Sequence, residues 1–278
     1  ERNELRMALV CRHFGEEPPL AGKGGSGTVF FTGCTLKCEF CQNCQISRGE
    51  LGRTVGIEEF ADILLALQNQ GAENVNLVTG TQFVPLIAEG LGIARRAGLA
   101  LPVLWNTSAY EDSDALPLIG SITDVFLPDY KTSNPRTADQ LFRAPDYPER
   151  AADSILWMAR QQPLKYSPSG MLMSGTVMRH LVLPGEVEDS RRIIKWFAEN
   201  IKGNALLSVM FQYLPPSGPA RSTGSPNRAV DEVEYCQVLA EIEDSGVTGG
   251  FIQKLDSESQ WLPDFQRRYP FPESFSQT

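Results

Sequence analysis

No apolar run in the sequence approaches the roughly 20 residues that a membrane-spanning helix needs, so no membrane is expected among its partners. Positive charge is not in excess either. Lys and Arg number 25 against 34 Asp and Glu, for a net charge of −9. That balance argues against general nucleic-acid affinity and leaves room for a local basic pocket. The glycine-rich Gly22-Lys23-Gly24-Gly25-Ser26-Gly27 is not a phosphate loop, because no G-K-[ST] stands before a helix. It reads as a surface connection into the first strand. No secretory segment, internal repeat or low-complexity tract is recognised. Four of the six cysteines are clustered, and a chain of 278 residues can bury a core without staples, so a disulfide framework is the weaker reading. A reducing cytoplasm is the expected setting. With 42% apolar and 21% charged residues the composition is that of an ordinary globular protein.

The chain is organised around Gly33-Cys34-Thr35-Leu36-Lys37-Cys38-Glu39-Phe40-Cys41-Gln42-Asn43, directly after the apolar run Thr28-Val29-Phe30-Phe31. Thiolates at C-x3-C-x2-C are soft ligands suited to iron–sulfur clusters and zinc. Three ligands on a four-iron cluster leave one iron open for chemistry. Gly33 lets the chain turn sharply off the strand. Cys44 extends the run to four thiols, which could instead close a tetrahedral zinc site.

Along the chain, apolar periodicity predicts a helix over 57–67, a strand over 74–79, a helix over 84–97 and a strand over 101–106. A helix running through Leu116, a strand over 122–127, a helix over 151–160 and a β-rich run over 177–183 follow. Val187, Ile193, Ile194, Phe197 and Ile201 suit a helix, 205–213 a strand, and Val230, Val233, Leu239 and Ile242 the face of a last helix. On that face Cys236 reads as core packing, and Cys11 as an inert thiol. Residues 249–253 are placed to close the sheet. The opening stretch from Met7 shows little periodicity. Strand–helix alternation means a parallel sheet with helices outside it. The expectation is an α/β fold, a partial (β/α)6 TIM-like barrel with short N- and C-terminal extensions. It forms one domain over 1–278: extension 1–27, barrel core 28–213, and last helix, closing strand and tail 214–278.

In parallel barrels chemistry collects at the C-terminal strand ends. The polar groups there are Thr79-Gly80-Thr81-Gln82, Asn106-Thr107-Ser108, Asp129-Tyr130-Lys131, Arg179-His180 and Gln212-Tyr213. Converging on one mouth they would suit a zwitterionic, cationic ligand. Thr79 and Thr107 could equally cap helices, Lys131 could be a solvated charge, and His180 a satisfied core residue. A carboxylate such as Asp129 at the end of an apolar run needs a partner.

At C-x3-C-x-aromatic-C the sequence resembles the radical S-adenosylmethionine superfamily. Within it, the chain is similar to the pyruvate formate-lyase-activating-enzyme-like branch and its uncharacterised members. The matching stretches are Arg12-His13-Phe14-Gly15-Glu16-Glu17-Pro18-Pro19, Gly27-Thr28-Val29-Phe30-Phe31-Thr32-Gly33-Cys34, Cys41-Gln42-Asn43, Asn106-Thr107-Ser108, Pro128-Asp129-Tyr130-Lys131, Arg179-His180-Leu181-Val182-Leu183-Pro184-Gly185 and Gln212-Tyr213-Leu214-Pro215.

The resemblance implies that Cys34, Cys38 and Cys41 ligate a 4Fe–4S cluster whose open iron chelates S-adenosylmethionine. It puts the backbone at Phe40, with Val182 and Leu183, around the adenine, and Thr79 and Gly80 at the methionine amino group. Asn106, Thr107 and Asp129 fall where a monovalent cation sits beside the methionine carboxylate, and Lys131 and Arg179 at ribose or carboxylate contacts. A reduced flavodoxin or ferredoxin-like donor is the implied partner. The substrate is either a glycine of a partner protein or a small molecule or peptide. Thr79-Gly80-Thr81 stands where relatives have a Gly-Gly-Glu-type motif, Asn106 replaces an aspartate, and Cys44 stands at a common aromatic position. No histidine follows Gln212-Tyr213-Leu214-Pro215-Pro216, and the ferredoxin-like insertion of multi-cluster activating enzymes is absent. A non-catalytic iron–sulfur or zinc protein, with Cys44 as fourth ligand, is the alternative from another class.

Overall fold

Each predicted β-rich run becomes a strand of one sheet. The computed structural model describes residues 4–49, 51–215, 224–255, 262–267, 270–271 and 276–277. Pro216 and parts of the assigned tail 214–278 lie outside them. The chain runs β1 (Leu5–His13), α1 (Pro18–Ala21), β2 (Ser26–Phe31), α2 (Cys44–Ser47), β3 (Arg53–Val55), α3 (Ile57–Asn69), β4 (Asn74–Val78) and α4 (Val84–Arg96). It continues through β5 (Val103–Thr107), α5 (Leu116–Ile122), β6 (Val125–Pro128), α6 (Pro135–Phe142), α7 (Tyr147–Gln161), β7 (Lys165–Tyr166) and β8 (Leu172–Leu181). It ends with α8 (Val187–Asn200), β9 (Leu206–Met210), α9 (Glu232–Asp244), β10 (Gly250–Ile252) and β11 (Ser276–Gln277).

The order across the sheet is β10-β9-β8-β6-β5-β4-β2-β1-β11. From β2 to β10 every neighbouring pair is parallel. Among the described residues the sheet has two ends and does not close, so the fold is mixed α/β with the open, partial barrel expected. Residues 249–253 supply β10, parallel to β9.

Alternation sorts the side chains. Val75, Leu77, Val103, Trp105 and Phe126 face outward and pack on Phe60, Leu64, Ile87 and Leu91 of α3 and α4. Leu104, Val125, Leu127, Val177 and Leu206 face inward and pack on Leu20 of α1. The short helix α1 thus plugs the floor of the barrel with a leucine that is fully buried, and Asn74 Nδ2 holds the Leu20 carbonyl at 2.7 Å.

Several expectations are corrected. The stretch from Met7 is not irregular: β1 pairs antiparallel with β2, and its pattern is weak because most of its side chains are only half-buried. The helix after β5 begins at Leu116 instead of ending there, so Ile122 closes α5 and is not in the strand. The proline-marked stretch holds α6, capped by the Asn134 side chain, as well as α7. Strand β8 ends at Leu181, so Val182 and Leu183 lie beyond it. On α9 the buried stripe is Glu234, Val238, Glu241 and Ile242, whereas Cys236 is exposed and Val233 is 66% exposed. That face was illegible because it carries two glutamates, made burial-compatible by Arg228 at 2.6 Å from Glu234 and Arg191 at 3.0 Å from Glu241.

Candidate functional site

The cysteine loop leaves β2 through Gly33, whose φ of +92° is the left-handed turn expected there. Two apolar anchors tie the loop down. Leu36 is buried, and Phe40 packs against Phe142 and Tyr213 at 5.8 Å each. Backbone bonds from Gly33 N to Ile46 O (2.9 Å), Cys41 N to Cys38 O (3.2 Å) and Glu39 N to Leu141 O (3.0 Å) complete the frame.

The three thiols share one environment. Burial pushes Cys34 up to about 11, with the charge of Cys41 adding to it. Cys38 and Cys41 are also raised, by burial first, and Lys131 opposes the rise at all three. Thiols this buried hold their protons until a soft metal displaces them. Three soft donors on an apolar-backed loop suit an iron–sulfur cluster well.

Below the loop is a cavity of about 720 Å³. Cys38, Phe40, Cys41 and Gln42 line it above; Val78, Asn106, Asp129, Leu181 and Met210 line it from the strands; Glu16, Glu17, Arg179 and Ser208 line it deeper in. Phe30, Phe251 and Phe271 complete its wall. Gln42 Nε2 donates to Gln212 O at 3.0 Å and Gln253 Nε2 to Gln212 Oε1 at 2.8 Å, joining the loop to the ends of β9 and β10.

Asp129 and Lys131 meet here. Lys131 Nζ is 2.5 Å from Asp129 Oδ2, and both side chains are largely buried. Burial works against the ammonium, but Asp129, together with Cys38 and Tyr147, outweighs it and the Lys131 pKa is raised. Lys131 is therefore not a solvated surface charge. Tyr147 of α7 holds the pair's backbone: its hydroxyl accepts from Lys131 N (2.9 Å) and lies 2.8 Å from Asp129 O and 3.1 Å from Ser108 O. A tyrosine in a proline-marked stretch offers no such signal in sequence.

Arg179 is buried and already engaged. Its Nε donates to Glu17 Oε1 at 3.0 Å, and its Nη2 bonds both Glu17 Oε2 and Glu16 Oε2. Burial opposes its charge and the two carboxylates restore it, so its pKa is raised. Glu17, for which burial is the opposing cause, is nonetheless lowered by Arg179. These glutamates lie within the Arg12–Pro19 stretch, and nothing in its spacing shows that they enter the barrel.

Other candidates are placed differently. Thr107 lies on the outer face of β5, where its hydroxyl donates to Glu111 Oε1 at 2.5 Å, with Trp105 Nε1 and Thr81 Oγ1 each 3.0 Å from the same oxygen. Burial raises the Glu111 pKa against those donors. Thr79 has φ +58°, a strained value for a β-branched residue, and its carbonyl accepts from Gln82 Nε2 at 2.9 Å. Gly80 is closely packed: a Cβ there would crowd the side chains of Ile87 (Cδ1 at 2.7 Å) and Trp105 (3.1 Å), which would have to shift. Val182 and Leu183 are buried in the same core cluster as Phe40. His180 faces outward; Nδ1 donates to Tyr130 O at 2.7 Å, leaving Nε2 to accept from Ser190 Oγ at 2.9 Å. Burial lowers its pKa, and it is a satisfied core residue. Burial, then Glu16, pushes Cys11 up to about 12, in keeping with an inert thiol. Among the described residues no helix is long and apolar enough to cross a membrane.

The chain is 28% identical over 239 residues to an uncharacterised protein of Methanocaldococcus jannaschii, covering 82% of this chain and 65% of that protein's length. The solved structure of Streptococcus suis SuiB bound to S-adenosylmethionine superposes with a TM-score of 0.56 at 13% identity, over 80% of this chain and 48% of that one. Methylornithine synthase (PylB) does so with a TM-score of 0.55 at 14% identity, over 84% and 73%. These likenesses show the fold. Residues 28–197, which run from the first parallel strand past the cysteine loop to α8, match the model of the radical SAM superfamily, and to that superfamily the chain belongs.

Proposed function

We propose that Cys34, Cys38 and Cys41 hold a 4Fe–4S cluster and that the enzyme abstracts a hydrogen atom from a substrate in the chamber beneath it. Membership of the superfamily implies the cluster and S-adenosylmethionine, and a reductant to drive them. When bound, these groups supply reductive cleavage of the sulfonium to methionine and a 5′-deoxyadenosyl radical. The observation that carries the reading is the shared environment of the three thiols, two of which, Cys38 and Cys41, line a cavity that Asp129 and Lys131 also line.

The chain's own residues then have assignable tasks. Leu36 and Phe40 exclude water from the ligand loop. Asp129 and Lys131 present fixed charges of both signs to a zwitterionic cofactor, and Tyr147 keeps their backbone in register. Asn106, on the inner face of β5, offers an amide. A monovalent cation beside the methionine carboxylate would rest on Asn106 and Asp129, since Thr107 is committed to Glu111. Arg179 contributes charge to the chamber through its acid partners. A flavodoxin or ferredoxin-like protein is the proposed reductant. The substrate is a glycine of a partner protein, or else a small molecule or peptide.

Anaerobic reconstitution with iron and sulfide tests the reading, followed by electron paramagnetic resonance of the reduced protein with and without S-adenosylmethionine. A cluster signal that shifts on addition, with release of 5′-deoxyadenosine, is expected. A cluster indifferent to S-adenosylmethionine, or stable zinc in its place, would transfer the loop to an electron-transfer or structural role.

A further inference from the structure

We infer that the deep end of the chamber is a subsite for an organic cation, an ammonium or guanidinium on an apolar stem, recognised by Glu16. That this cation is the substrate rests on the function proposed above; that the subsite binds it does not.

The charges lining the chamber do not balance. Arg179 grips Glu17 with two nitrogens on two oxygens, the bidentate geometry that spends a guanidinium on one carboxylate. Glu16 only shares the same Nη2 and takes its other hydrogen bond, 2.8 Å, from the neutral amide of Asn76. Asp129 and Lys131 neutralise each other. Among the described residues lining the chamber, three carboxylates (Glu16, Glu17, Asp129) thus face two permanent cations (Lys131, Arg179), with the imidazole of His13 also in the wall. The Glu16 and Glu17 side chains are only 10% and 9% exposed. A negative charge in so enclosed a place calls for a partner, and a carboxylate with two partners retains acceptor sites for one.

A second observation points the same way. Asn76 is fully buried on β4, and its Oδ1 has no hydrogen-bond partner. Donation from its Nδ2 to Glu16 sets the amide's orientation, so an unmet acceptor sits directly behind the surplus carboxylate, one hydrogen bond from the cavity wall. An ammonium or guanidinium has only donors to offer. The walls suit its stem. Phe30 and Phe271, with ring centroids 5.6 Å apart, line the cavity together with Phe251, and aromatic rings attract cations as well as apolar chains. A carboxylate ligand would instead have to displace Glu17 from Arg179.

Calorimetry on the reconstituted full chain tests this with three probes sharing one stem: 2-phenylethylammonium, 2-phenylethanol and 3-phenylpropionate, each with and without saturating S-adenosylmethionine. The ammonium should bind at least about tenfold more tightly than the alcohol and the carboxylate most weakly, with the order unchanged by S-adenosylmethionine. Glu16→Gln should erase the preference for the ammonium while the alcohol binds as before. Equal binding of alcohol and ammonium, preference for the carboxylate, binding of none, or competition between the ammonium and S-adenosylmethionine would each overturn the inference. If Glu16→Gln does not fold, the ranking on the native chain still decides. Calorimetry needs no turnover, so failure of the proposed function, read as an unresponsive cluster signal, is separable from failure of the subsite.

Discussion

The Tyr147 hydroxyl lies 2.8 Å from the carbonyl oxygen of Asp129 and itself accepts the Lys131 backbone N–H at 2.9 Å. One side chain on α7 thus sets the backbone that presents an acid and a base to the chamber. Its ring, 5.1 Å from Phe142, shares a stack that reaches Phe40 at the cysteine loop.

Replacing Tyr147 by Phe keeps that stack and removes only the hydroxyl. The Lys131 N–H and the Asp129 and Ser108 carbonyls, all partly buried, lose the hydroxyl as a partner, which costs about 1–3 kcal/mol. Chemical denaturation should register the loss. Iron and sulfide content should stay at the native level, while S-adenosylmethionine affinity, read by the cluster's resonance, should weaken several-fold.

Asp129 and Lys131 should be strongly coupled. In a double-mutant cycle of Asp129→Asn and Lys131→Met, each single variant leaves a partly buried charge unpaired, and the double variant leaves none. A favourable coupling energy in the upper part of the ~0.5–3 kcal/mol range for contacting residues is expected from denaturation midpoints. Strict additivity would refute the pairing.

Cysteine replacements should divide three against one. Cys34→Ala, Cys38→Ala and Cys41→Ala should each abolish the reconstituted cluster, and Cys44→Ala should retain it, as read by iron content and resonance. Full retention of the cluster in Cys41→Ala would defeat the ligand assignment.

Acid stability reports on α9. The hydrogen bonds from Arg228 hold Glu234 down to about 2, against burial, with further donors at Asp231 and Gly185. A carboxylate depressed on folding stabilises the native state above its unfolded pKa. That contribution fades as pH falls from the ordinary carboxylate range through about 2. Glu234→Gln should lower the melting temperature at pH 7 and flatten its fall between pH 5 and pH 2.

Much of this was legible in the linear chain. The run Cys34, Cys38, Cys41 is local, so the C-x3-C-x-aromatic-C pattern by which the chain resembles the radical SAM superfamily can be read without knowledge of the fold. The apolar periods of α3, α4 and β4–β6 likewise fix their own faces, because burial of a period-2 or period-3.6 stripe is a near-neighbour matter. Such signals survive without knowledge of what packs opposite.

The rest depended on partners distant in sequence. Glu17 and Arg179 are separated by 162 residues, and only the plug formed by α1 brings them into one cavity. Thr107 and Asn106 are adjacent, yet the pleat sends one to Glu111 outside the barrel and the other into the chamber. The buried face of α9 carries Glu234 and Glu241, and no pattern of apolar residues could reveal it, since Arg228 just before the helix and Arg191, 50 residues away, make those acids buriable. The sequence by itself determined the ligand loop and the alternating α/β frame, through local spacing and periodic burial. The charge of the chamber and the register of Asp129 and Lys131 were decided only by the tertiary structure, because a buried ion needs a counter-ion and only the fold chooses which one it meets.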